Sequence, residues 1–172
     1  ESHDRTRCEI VLYSTHPHEG PVNARFRRAA EAWRDLPQDD ASAAAMIADD
    51  GLDLLVDLAG HAPGHRLGVL ARRPAPVQAT WLDYFETTGM RSVDYFVSDA
   101  VCTPASDAAL FRERLVQLPC RFAYRPLDSP AVTPAPAAAR GHVTFGSFNR
   151  HAKLSPATLD AWGEILRAAP DS

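Results

Sequence analysis

The stretch Leu52-Asp53-Leu54-Leu55-Val56-Asp57-Leu58 restricts the fold more than any other part of this 172-residue chain. It is short and apolar almost without interruption, the pattern of a strand buried on both faces of a parallel sheet. Its surroundings supply the rest of such a sheet. Residues 8–14 read as a strand ending in a His/Pro/Gly-rich turn at 15–21. Residues 22–33 have helical spacing, with Val22, Phe26, Ala29, Ala30 and Trp33 on one face. A second helix is predicted over 41–48, capped by Asp39-Asp40 and stopped by Gly51. After the loop 60–64 come a short helix at 66–71 and strands at 77–82 and 93–98 around a loop at 83–91. A helix at 106–112 and a strand at 115–118 complete the unit. Strands and helices alternating across short loops predict an α/β fold of Rossmann type.

Residues 126–140 break this pattern. They hold four prolines and five alanines with no periodicity, and read as an extended linker between a lobe at 7–125 and a second segment at 141–172. In that segment a strand is predicted at 141–147, a turn at 149–153, and a helix to about 168 that opens on Ser155 as N-cap with Pro156 at its first position. One strand and one helix do not make a domain, so the sequence reads as cut short just after a second α/β unit begins.

Charge and cysteine usage exclude several classes. A net charge of −4 lacks the basic footprint of a nucleic-acid binder. No apolar run approaches the roughly 20 residues that cross a bilayer, and no signal-peptide core opens the chain. Cys8, Cys102 and Cys120 are odd in number and without CxxC spacing, which suggests neither a disulfide framework nor a zinc ribbon and fits a reducing, cytoplasmic setting. His16-Pro17-His18 is a weak metal signal without matched carboxylates, and no metal is expected. Seventeen arginines stand against a single lysine, which draws attention to Lys153.

Two stretches carry more than pattern. One runs from Asp57-Leu58-Ala59-Gly60-His61 through Arg73-Pro74-Ala75-Pro76-Val77-Gln78-Ala79-Thr80-Trp81-Leu82-Asp83-Tyr84 to Thr87-Thr88-Gly89 and Asp94-Tyr95; the other is Phe148-Asn149-Arg150-His151-Ala152-Lys153-Leu154-Ser155-Pro156. RPAPVQ followed by W-x-x-Y, then FN-x-x-x-K further on, closely resembles the catalytic region of the O-linked N-acetylglucosamine transferase family, in particular its bacterial, tetratricopeptide-associated, SPINDLY-like members. The likeness runs from about Arg7 to the end of the chain. It implies a two-lobed GT-B fold, of which this chain would hold a partial amino lobe and the first strand and helix of the carboxyl lobe. It also implies transfer of N-acetylglucosamine from UDP-N-acetylglucosamine to protein Ser or Thr hydroxyls, with inversion and without a cofactor or metal. The family's upstream histidine-bearing unit and most of its uridine-binding lobe fall outside the chain. The chain alone is therefore expected to be inactive, its carboxyl-terminal strand and helix to dock on the amino lobe or on a second chain, and its open edges to offer a route to homo-oligomers.

The resemblance assigns residues. Lys153 matches the lysine that contacts the UDP diphosphate, and Asn149 and Arg150 lie on the same phosphate-side loop. Negative charge left on the β-phosphate must be met by fixed cations and amide dipoles, which a lysine just before a helix N-terminus supplies. His61, at the carboxyl end of a strand, is a candidate for moving a proton or binding a hydroxyl, with a carbonyl-capping loop histidine as the alternative. The better-known members read L-G-Y-P-G-T-S-G where this chain has Leu82-Asp83-Tyr84-Phe85-Glu86-Thr87-Thr88-Gly89. Leu82, Tyr84, Thr87, Thr88 and Gly89 thus fall on the donor-binding loop, while Asp83, Phe85 and Glu86 replace Gly, Pro and Gly. Asp83 is a second catalytic candidate; the alternative is that Asp83 and Glu86 point to solvent. Two other functions stay open: the same fold with another sugar nucleotide or acceptor, and a non-catalytic interaction module.

Overall fold

The computed structural model describes residues 2–16, 19–122 and 130–172. Pro17 and His18 of the His-Pro-His stretch and residues 126–129 of the expected linker lie outside them. The chain divides into two compact units, 1–124 and 125–172, each described by itself.

In the first unit, β1 (Val11–Ser14) and β2 (Ala32–Asp35) form a parallel pair in which Val11 faces Ala32. The helix between them, α1 (Pro21–Ala29), is shorter than its spacing suggests, and Ala30 is already extended. The apolar rhythm that seemed to carry the helix to Trp33 crosses a helix end. Pairing with β1 wins there: Glu31 donates its amide to the Ile10 carbonyl at 2.9 Å, and its carboxylate accepts the Ile10 amide at 2.7 Å. Trp33 therefore sits on a strand, with the Arg27 guanidinium 4.1 Å above its ring.

A four-stranded parallel sheet follows in the order β3 (Leu54–Asp57), β4 (Val77–Thr80), β5 (Tyr95–Asp99) and β6 (Arg114–Leu118). Leu54 pairs with Val77 and Asp57 with Thr80. Helices α2 (Asp40–Asp49) and α3 (Leu67–Ala71) cover one side. Their Ala43, Ala44, Ile47, Val69 and Leu70 pack with Leu55, Ala75 and Val93 into the core. α2 starts as its sequence predicts, with Asp39 accepting the amides of Ala41 and Ser42. The expectation that β3 is buried on both faces does not hold: Leu55 is buried, but Leu54 and Val56 are 50% and 38% exposed. β3 is an edge strand, and α2 and α3 pack against only its Leu55 side. The helix expected at 106–112 is a 3-10 turn, Ala105–Leu110.

Among the described residues the second unit holds two α-helices, α4 (Pro136–Arg140) and α5 (Pro156–Ala168). α4 lies inside the stretch read as an extended linker; Ala137 to Ala139 favour a helical turn, and Gly141 ends it at φ +78°. The strand expected at 141–147 is absent among the described residues: the segment is exposed and no neighbouring strand pairs with it. α5 is as predicted, with Ser155 Oγ accepting the Thr158 amide at 3.2 Å. Trp162 is half-buried and lines a groove of about 360 Å³ with Phe145, Gly146, Ser147, Ile165 and Leu166. No helix among the described residues is long and apolar enough to cross a membrane.

Candidate functional site

Because β3 to β6 run parallel, Asp57, Thr80, Asp99 and Leu118 all end on one edge of the sheet, the side on which open α/β sheets hold ligands. Two aspartates shape the loops there. Asp57 accepts the amides of Ala59 and Gly60, at 3.3 and 2.7 Å, and the Thr80 hydroxyl at 3.0 Å. Asp99 accepts the amides of Val101, Cys102 and Arg121 at 3.0, 2.7 and 2.6 Å. These bonds, that of Cys102 foremost, hold the Asp99 carboxyl below its usual range. The Cys102 thiol is instead pushed up by burial, unlike a reactive thiolate.

The turn after β3 carries His61. Gly60, buried and at φ +53°, lets the turn pass directly against Tyr84. The rings of His61 and Tyr84 then meet edge-on, with centroids 5.2 Å apart. His61 Nε2 lies 3.0 Å from the Thr88 carbonyl. A carbonyl only accepts, so Nε2 bears the proton and Nδ1 carries the lone pair of the neutral ring. The capping and proton-moving alternatives are compatible in this geometry: one nitrogen fastens the ring, and the other stays available.

The loop after β4 is gripped at both ends. At its start, Leu82 adopts φ +77°, a left-handed conformation costly for a branched side chain. Its carbonyl accepts from Arg121 Nη2 at 2.7 Å, and the same nitrogen donates to the Tyr84 carbonyl. Arg121 is 0% exposed; its guanidinium also reaches Ser98 Oγ at 3.3 Å and lies 4.6 Å from the Phe85 ring centroid and 5.0 Å from that of Phe96. Burial lowers its proton affinity. At the loop's other end the buried Glu113 accepts the Thr87 hydroxyl at 2.5 Å, the Thr88 amide at 2.8 Å and the Thr88 hydroxyl.

The structure thus brings His61, Leu82, Asp83, Tyr84, Thr87, Thr88 and Gly89 to one edge of the first unit. The threonine side chains are committed inward. Thr87 Oγ1 donates to Glu113 and accepts the amides of Gly89 and Arg112, while Thr88 is 5% exposed. What this end of the loop offers a ligand is backbone. Asp83, Phe85 and Glu86 are exposed. Asn149, Arg150 and Lys153 belong to the second unit, on and before the 3-10 turn His151–Lys153, and are exposed. No cluster of His, Cys, Asp or Glu among the described residues could hold a metal ion. Sequence reasoning missed Asp99, Glu113 and Arg121, and took Asp57 only as the first residue of a motif, without its role in shaping the turn. Glu113 sits in Arg112-Glu113-Arg114, a triplet that looks like a solvated turn, and Arg121 follows a strand end with no motif around it.

A parallel α/β lobe with an ordered loop at the carboxyl ends of its strands defines the class, and comparison with known proteins names it. The model of Glycosyl transferase family 41 matches residues 1–124, and the chain belongs to that family. It is 40% identical over 177 residues to the Arabidopsis thaliana protein named probable UDP-N-acetylglucosamine–peptide N-acetylglucosaminyltransferase SPINDLY, covering 99% of this chain and 19% of the relative. It is 36% identical over 123 residues to the Caenorhabditis elegans UDP-N-acetylglucosamine–peptide N-acetylglucosaminyltransferase, covering 70% of this chain and 11% of that protein. A solved structure of a lysine-to-methionine mutant of Thermobaculum terrenum O-GlcNAc transferase matches with a TM-score of 0.87 and 43% identity, over 99% of this chain and 32% of the other. The chain thus spans about a fifth of the length of the plant relative, and its fold is that of part of a Rossmann-like GT-B glycosyltransferase.

Proposed function

We propose that this chain is part of an enzyme that moves N-acetylglucosamine from UDP-N-acetylglucosamine to Ser or Thr hydroxyls of proteins. The observation that carries the reading is the 43% identity to an O-GlcNAc transferase of the same fold over 99% of the chain. The assignments follow from chemistry. The acceptor hydroxyl attacks the anomeric carbon, its proton leaves to a base, and the bond to the β-phosphate oxygen breaks. His61 is the candidate proton acceptor through Nδ1, because Nε2 is engaged by Thr88. Asp83, exposed on the loop after β4, is the second candidate. Leu82, Tyr84, Thr87, Thr88 and Gly89 shape the loop that meets the sugar, chiefly through backbone. Lys153, with Asn149 and Arg150, meets the charge left on the diphosphate, so the reaction calls on no metal or other cofactor.

The same reading makes the parent protein a bacterial, tetratricopeptide-associated enzyme of the cytoplasm, where its three free thiols are stable. A net charge of −4 argues for protein rather than nucleic-acid partners. Self-association would use the apolar strip Leu54, Val56 and Leu58 on the β3 edge. The deciding experiment incubates the full-length gene product with UDP-N-acetylglucosamine and a Ser/Thr-bearing acceptor protein and reads added hexosamine mass. Transfer from a different sugar nucleotide instead, favoured by the Asp83, Phe85 and Glu86 replacements, would move the donor assignment; transfer from none would leave the interaction-module reading.

A further inference from the structure

We propose that Glu113 and Arg121 are positioning residues for the donor side of this site, a buried anion and a buried cation that grip opposite ends of the 82–89 loop and fix the conformation in which it meets the sugar. The inference rests on the reading that this loop faces the donor.

Each end of the loop presents one kind of backbone or side-chain group. At the start the groups to be satisfied are carbonyls, those of Leu82 and Tyr84, and only a donor serves. Arg121 provides a planar fork of donors that can serve two carbonyls and a hydroxyl at once. At the far end the groups are an amide and two hydroxyls, and an ionised carboxylate, which only accepts, takes all three. Arg121 is 0% and Glu113 4% exposed. Among the described residues the Arg121 guanidinium hydrogen-bonds carbonyls and a hydroxyl and lies against aromatic rings; the Asp99 carboxylate is near enough to favour its charge but bonds the Arg121 backbone amide, not the guanidinium. Burying a charge outside a direct ion pair is expensive, and a packed apolar pair would fill the same space at less cost. What the charges do that apolar residues could not is hold the left-handed backbone at Leu82 and the turn at Thr87-Thr88 in place. Between the grips, Asp83, Phe85 and Glu86 are exposed, with Phe85 set over the Arg121 guanidinium. The replacements that give this loop its acidic, bulky character are therefore carried on a frame fixed from below.

The test uses the full-length protein with Arg121→Met, Arg121→Lys, Glu113→Ala and Glu113→Gln, read by hydrogen exchange and by kinetics with UDP-N-acetylglucosamine. In Arg121→Met and Glu113→Ala, amides at 82–90 should exchange about tenfold faster or more while those of β4 and β5 stay protected, since charge-assisted hydrogen bonds are lost locally. The donor KM should rise by about the same factor with the acceptor KM unchanged. Lysine and glutamine, which keep some of the bonds, should recover part of both effects, and they stand in where the harsher variants fail to fold. A residue that merely supports the fold would lower the active fraction, and so kcat, with donor KM untouched. Folded variants with unchanged loop exchange and unchanged donor KM would overturn the proposal. Should the unsubstituted protein transfer no sugar at all, the functional reading fails, and loop exchange alone decides whether the two charges grip the loop.

Discussion

A Cβ atom added to Gly60 would stand 2.5 Å from the Cβ of Tyr84, so the turn after β3 and the loop after β4 touch at a distance that only glycine allows. The obstacle is the root of a side chain, next to backbone, and cannot swing aside. Gly60 is also at φ +53°, where an alanine is strained whatever the space. Gly60→Ala should therefore destabilise the fold by about 2–4 kcal/mol, overpacking and backbone strain together. Urea unfolding measures it, and a loss under about 0.5 kcal/mol, the size of an ordinary surface change, would refute the close approach.

That contact marks where sequence reading stops. The segments at β3, β4 and β5 and the starts of α2 and α5 were legible because an apolar run, an Asp cap or a Ser-Pro start is a local signal. β2 was not, because the pairing of Ala32 to Asp35 with Val11 to Ser14 is a long-range bond set that overrides the helical spacing ending at Trp33. The absent strand at 141–147 is the converse: a strand-like composition forms no strand without a neighbour. The loop at 82–89 was legible as a motif, but its supports were not. Glu113 and Arg121 reach it from 25 and 37 residues away by sequence, through side chains whose burial no local pattern announces.

Asp99 gives the first unit an acid limb. Three amides hold its carboxyl below the unfolded value, so its contribution is fully present above about pH 4 and is lost as pH falls through the folded value. Asp99→Asn removes the titration while keeping one acceptor oxygen. The variant should be less stable than the parent at pH 7 and approach it at pH 2, a convergence visible in urea midpoints taken across that range. Parallel curves would show that Asp99 is not responsible.

His61→Ala tests the division of labour between the ring nitrogens. Losing the Nε2 bond to Thr88 should cost stability only about 1 kcal/mol, one part-buried hydrogen bond. Losing Nδ1 as proton acceptor should cost turnover about 10²-fold or more. Steady-state kinetics beside a melting curve separates the two, and a turnover within threefold of the parent would assign His61 to loop fastening alone.

The Asp83 carboxylate is exposed and receives no hydrogen bond among the described residues, while its amide donates to the Leu58 carbonyl. Asp83→Gly should therefore change stability by no more than about 1 kcal/mol, the backbone-entropy cost of glycine. Its effect should fall on donor choice instead, read as the ratio of kcat/KM between sugar nucleotides. An unchanged ratio with unchanged turnover would place the carboxylate outside the donor site.

Lys153 is the chain's one lysine. It closes the 3-10 turn His151–Lys153, two residues before the Ser155 cap of α5, and its side chain is exposed. Among the described residues no hydrogen bond or ion pair uses that ammonium, so Lys153→Ala should melt within a degree or two of the parent. Glycosyl transfer from a nucleoside diphosphate sugar, by contrast, leaves a charged diphosphate, which under the proposed reading is met by fixed cations. Removing one fixed donor from such developing charge costs about 2.7–4 kcal/mol, or 10²–10³ in rate. UDP affinity should fall as well, because the product bears that charge in its ground state; calorimetric titration of the full-length protein with UDP reads this apart from turnover. Arginine at the position should recover part of the loss, since it restores charge with a different reach. A well-folded Lys153→Ala protein with parental UDP affinity and parental turnover would remove the diphosphate from Lys153.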